Sequence, residues 1–128
     1  DTLHVRAPTA LFQAAVACGG VGRVIQVSAL GADADARSGY HRSKRRADEA
    51  LAATVADWVV AQPSLVYGPD GRSARAFESL ASLPVIPLPG RGDMRVQPIH
   101  LDDLVAALVA LIEAPRIEQR RVALVGPR

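Results

Sequence analysis

The feature that most constrains the fold is an alternation of two chain patterns. Residues 23–28 (Arg-Val-Ile-Gln-Val-Ser) and residues 57–62 (Asp-Trp-Val-Val-Ala-Gln) are short apolar runs rich in β-branched side chains. Such runs suit strands buried on both faces, as in a parallel sheet. Between them, residues 39–54 read as a helix whose apolar side carries Ala47, Ala50 and Leu51, continued by Val55. Ser38 stands where a helix cap is wanted. Strand, helix, strand in that order predicts an α/β architecture with a parallel sheet.

The remaining elements extend this reading. Residues 8–18 predict a helix with Leu11, Ala14, Ala15 and Cys18 on one face, ended by Gly19-Gly20. Residues 74–82 predict a short helix. Pro84, Pro87, Pro89, Gly90 and Gly92 make 83–92 a loop or edge strand. Residues 101–113 predict the clearest helix, with a stripe of Leu101, Leu104, Val105, Leu108, Val109 and Ile112, and Asp102 and Asp103 in its first turn. Residues 121–125 predict a last strand. No repeat or linker divides the 128 residues, so a single domain is expected, with a small substrate-side segment at about 70–100. Three firm strands are few for a self-sufficient parallel sheet, and the first element is a helix with no strand before it. Both point to part of a larger fold.

Composition narrows the function classes. With 49% hydrophobic and 22% charged residues the chain is of ordinary globular make-up. A net charge of +2 gives no electrostatic footprint for nucleic acid. The single cysteine, Cys18, fits a reducing compartment. No apolar stretch approaches the roughly 18 residues of a membrane span, and no signal peptide is visible, so a cytoplasmic location is expected. Of 15 basic residues, 14 are arginine and one, Lys44, is lysine. Where only positive charge is needed this chain uses arginine, so its one lysine invites a role arginine cannot fill.

That lysine lies four residues after Tyr40, in Tyr40-His41-Arg42-Ser43-Lys44. On a helix the two share a face, one turn apart. A nearby cation favours phenolate and makes a tyrosine a better general acid/base. Ser28 closes the preceding strand, at the sheet end where α/β sites are built, and could hold a carbonyl or alcohol oxygen. Tyr-x-x-x-Lys alone is a weak pattern. His100, Asp102 and Asp103 lack metal-ligand spacing and read as helix capping, so no metal site is expected. Arg42, Arg45 and Arg46 read as a solvated face. Arg72, Arg75, Arg91 and Arg95 fix no substrate.

Taken together the segments resemble a family. Residues 24–32, the Tyr40–Lys44 motif, residues 58–69, Gly90-Arg91-Gly92 and residues 97–104 are similar, in order, to short-chain dehydrogenases/reductases of the extended or atypical NAD(P)-binding branch, the epimerase/dehydratase-like kind. The resemblance implies an incomplete Rossmann-like parallel sheet with flanking helices. It implies NAD or NADP as cofactor and hydride chemistry or epimerisation at an oxygen-bearing carbon of a small-molecule substrate. By the same resemblance Ser28, Tyr40 and Lys44 are catalytic, Lys44 binds the nicotinamide ribose, and Pro63, Ser64, Leu65 and Val66 line the nicotinamide end. A homo-oligomer is compatible with it. The family's opening Gly-x-x-Gly-x-x-Gly is not in this sequence. Gly19-Gly20-Val21-Gly22 precedes a strand and reads as a helix-ending turn, so the amino-terminal βαβ unit is expected to be missing. His4 falls where many relatives carry a catalytic asparagine. An alternative within the branch is a non-catalytic structural or sensing module that keeps the dinucleotide, as an accessory subunit of respiratory complex I does.

Overall fold

A computed structural model describes residues 2–55, 57–69, 72–85, 96–117 and 120–127. A wide helical segment, Thr2–Arg6, leads into α1 (Ala7–Cys18). Then follow β1 (Val24–Val27), α2 (Gly39–Thr54), β2 (Trp58–Pro63), β3 (Val66–Tyr67), α3 (Arg72–Ala81), β4 (Ile99–His100), α4 (Leu101–Glu113) and β5 (Arg121–Leu124). The strands form a three-stranded parallel sheet in the order β1-β2-β5 and a separate parallel pair, β3-β4.

The central strand explains the sheet. Val59, Val60 and Ala61 of β2 are fully buried, as a strand paired on both edges and covered on both faces requires. Its register sets Val27 against Ala61 and Pro63 against Leu124. All three strands therefore end at the same edge. At the opposite edge Arg23 binds Asp57 at 3.0 Å and donates to Leu111 O in the last turn of α4 (3.0 Å) and to Ala114 O just after it (2.6 Å). Arg120 reaches the same Asp57 carboxylate at 3.0 Å.

Phe12 of α1, Leu51 of α2 and Val60 of β2 form the core cluster, with Val24, Val55 and Trp58 packed around it. The face of α1 that carries Leu11 and Cys18 is not the one that meets the core. Leu11 is 68% exposed and Cys18 is exposed, while Phe12 is buried. An alanine-rich helix has little periodic contrast, so the one aromatic decides which side turns in. The apolar stripe on α4 is only partly covered. Leu104 is buried, whereas Leu101, Val105, Val109 and Ile112 are exposed among the described residues.

Helix ends follow the expected chemistry. Gly19 adopts φ 67° and its N–H donates to Val16 O, closing α1. Ser38 Oγ accepts from the His41 N–H at 3.0 Å, and His100 Nδ1 accepts from the Asp102 N–H at 3.3 Å. The β3-β4 pair escapes a reading by pattern, because two-residue strands carry no periodicity. Gly126 lets the chain leaving β5 pass against the Pro98 carbonyl, which a Cβ would strike. Of the proline- and glycine-rich stretch, residues 86–95 lie outside the described residues, as do the side chains of His4 and Arg72.

Candidate functional site

The shared carboxyl edge of the strands opens into a cavity of about 600 Å³. Ser28, Tyr40, Lys44, Pro63, Ser64, Leu65 and Val66 all line it. Backbone pairing assembles them. The Ser28 N–H donates to Ala61 O at 2.8 Å, extending the β1-β2 ladder by one residue. The Leu30 N–H donates to Pro63 O at 2.9 Å, so the loop after β1 follows β2. The Ser64 N–H donates to Leu124 O at 2.9 Å, and the Ser64 hydroxyl donates to Gln97 O. A turn at Gly31 (φ 85°) and the Ser38 cap return the chain to α2, with Tyr40 in its first turn.

Lys44 projects back along α2 toward the strand end. Its ammonium donates to Val27 O at 3.1 Å and lies 5.9 Å from the centre of the Tyr40 ring. That ring meets the His41 imidazole edge-on at 5.2 Å. Tyr40 is half exposed, whereas Ser28 is buried. The cavity also takes Val96, Gln97 and Leu104, from the stretch expected on the substrate side, and His41, which sequence reasoning did not place there.

Ser28 does not simply face the cavity. Its hydroxyl donates to Asp48 Oδ2 at 2.6 Å, and Asp48 is wholly buried. The other carboxylate oxygen, Oδ1, is buried without a hydrogen-bond partner among the described residues. Burial pushes Asp48 up from 3.8 to about 6, against the Ser28 hydrogen bond and the nearby Arg121 and Lys44 cations, which pull it down. Sequence reasoning missed Asp48. The available signal was a carboxylate in the inward row of α2, with Ala47 before it and Leu51 after it.

The raised value has a stability consequence. Between about pH 4 and 6 the folded chain holds a proton on Asp48 that the unfolded chain has released. Stability from this group is therefore full below pH 4 and falls as pH rises to 6, by about 3 kcal/mol at roughly 1.4 kcal/mol per unit. Urea unfolding of the wild type and Asp48→Asn across pH 4–8 checks this. The variant's advantage should grow through that window, and a constant difference would contradict it.

The sequence model of the NAD dependent epimerase/dehydratase family matches residues 2–126. The chain belongs to that family. A ceramide reductase of Caulobacter vibrioides is 36% identical over 94 residues, which are 73% of this chain and 29% of that protein. The mitochondrial NADH dehydrogenase [ubiquinone] 1 alpha subcomplex subunit 9 of Arabidopsis thaliana is 31% identical over 96 residues, 74% of this chain and 24% of that protein. Among solved structures, the UDP-glucuronic acid 4-epimerase of Bacillus cereus, in complex with UDP-glucuronic acid and NAD, superposes with a TM-score of 0.72 at 17% identity. The superposition covers 98% of this chain and 46% of that one. The WbmG enzyme of Bordetella bronchiseptica, in complex with NAD, gives 0.66 at 16% identity, covering 95% and 43%. This family member thus spans less than a third of the curated relatives and less than half of the superposed chains. The fold is the Rossmann-like α/β arrangement of those two enzymes. No helix of the described residues is long and apolar enough to cross a membrane.

Proposed function

We propose that the full-length protein carrying this chain is an NAD(P)-dependent oxidoreductase or epimerase acting at an oxygen-bearing carbon of a small molecule. In this reading Ser28, Tyr40 and Lys44 serve the reaction, and Lys44, Pro63, Ser64, Leu65 and Val66 receive the nicotinamide end of the cofactor. The observation that supports it most is convergence. Residues from the end of β1, the first turns of α2 and the exit of β2 meet in one cavity at the carboxyl ends of parallel strands. Ligands of open α/β sheets bind at that edge.

The residues suit the cofactor. Lysine has three donors, and the one directed at Val27 O leaves two for ribose hydroxyls. Pro63, Leu65 and Val66 offer an apolar wall to a flat ring. The bound dinucleotide would supply the hydride acceptor or donor. Tyr40 would take the proton of a substrate hydroxyl during oxidation and return it during reduction. Ser28 would hold the same oxygen, and Lys44 would orient the ribose beside Tyr40.

A second reading, a structural or sensing module that keeps the dinucleotide without turnover, is favoured by the Ser28–Asp48 hydrogen bond, which turns the serine hydrogen away from substrate. Calorimetry with NADH and NADPH, followed by turnover over a panel of carbonyl substrates, separates the two in the full-length protein. Binding with turnover is the expected result. Binding without turnover selects the second reading, and no binding removes both.

A further inference from the structure

The Ser28–Asp48 pair has a property that the proposed reaction does not yet use. A serine hydroxyl has one hydrogen and two lone pairs. Here the hydrogen is committed to Asp48 Oδ2 at 2.6 Å, so Ser28 can offer the cavity only lone pairs. That arrangement cannot donate a hydrogen bond to a substrate oxygen. A carbonyl oxygen needs such a donor, and so does an alcohol oxygen whose single hydrogen goes to Tyr40. A proton on Asp48 reverses the bond: the carboxylic acid donates to Ser28 Oγ, and the serine hydrogen is released toward the cavity.

Asp48 is placed to change state. It is wholly buried, and Oδ1 has no partner among the described residues to stabilise the charge. The charged groups acting on it are Lys44 and Glu49 from α2 and Arg121 from β5. The two cations favour carboxylate, while burial and Glu49 favour the acid. The resulting balance, at about 6, lies near neutral pH.

We propose that Asp48 is a positioning residue whose protonation decides whether Ser28 presents a donor or an acceptor to the cavity, and so whether the site can hold a substrate oxygen while Tyr40 exchanges its proton. No bond to carbon changes at Asp48; one proton, exchanged with solvent, moves the pair between its two arrangements. The role in turnover rests on the oxidoreductase reading. The hydrogen-bond switch itself does not.

The test has two arms in the full-length protein. In the first, side-chain carboxyl 13C NMR follows Asp48, assigned by its loss in Asp48→Asn, in the wild type and Ser28→Ala. Removing the donor to the carboxylate should move the midpoint up by about one unit. In the second, pH profiles of kcat/KM are measured for carbonyl reduction and for oxidation of the corresponding alcohol. Both should carry a factor that falls about tenfold per pH unit above the Asp48 midpoint, because one transition state serves both directions. Asp48→Asn, whose amide can donate or accept, should remove this inflection from both profiles. A midpoint unmoved by Ser28→Ala overturns the switch. A moved midpoint with profiles unaltered in Asp48→Asn overturns its control of turnover and leaves the oxidoreductase reading standing. A moved midpoint in a protein with no turnover upholds the switch and removes the reaction.

Discussion

Tyr40→Phe in the full-length protein is expected to lower kcat by about 10²–10⁴-fold with NADH affinity unchanged, because it removes only the hydroxyl proposed to carry the proton. The ring that remains keeps its edge contact with His41 at 5.2 Å and its place 5.9 Å from the Lys44 ammonium. Tyr40 is half exposed, so the core does not depend on it. The loss should therefore appear in the chemical step and not in folding or cofactor binding. Single-turnover kinetics beside calorimetry on the same preparation reads the two separately. Turnover within a few fold of wild type would remove Tyr40 as the proton carrier.

Lys44→Arg should weaken NADH binding by about 10–100-fold, the magnitude of losing well-placed hydrogen bonds from a charged donor. Charge is preserved in this substitution, so the loss would come from shape. The lysine ammonium is a compact head that donates to Val27 O at 3.1 Å beside the Tyr40 ring. A guanidinium is broader and planar, with its donors fixed in a fork, and cannot take the same position between strand end and ring. The expected pattern is a higher Kd in fluorescence titration, with Lys44→Met no better than Lys44→Arg. Equal affinity in the arginine variant would mean that Lys44 contributes only charge. Its solitary place among arginines would then carry no functional meaning.

The fate of individual residues shows why the sequence is informative at some positions and silent at others. Val59 and Val60 declare a buried central strand because β-branched apolar side chains in an unbroken run suit few other places. Ser38 and Gly19 declare helix ends because capping is local chemistry, complete within a few residues. Phe12 was not legible as the inward residue of α1, since the choice depends on where α2 and the sheet stand. The α4 stripe was legible as a pattern, but how much of it is covered depends on which elements pack against it.

The same division holds at the site. The sequence by itself determined the α/β order of elements, the caps, the family, and the Tyr40–Lys44 spacing that puts both groups on one face of α2. These rest on periodicity and short-range geometry, which a chain carries wherever it folds. Only the tertiary structure decided that Ser28, Lys44 and residues 63–66 line one cavity, because the parallel register of β1, β2 and β5 sets the strand ends side by side. It also decided that the Ser28 hydrogen belongs to Asp48, a bond between residues 20 positions apart. Burial is a property of the packed chain, and burial makes that carboxyl hold its proton to about pH 6.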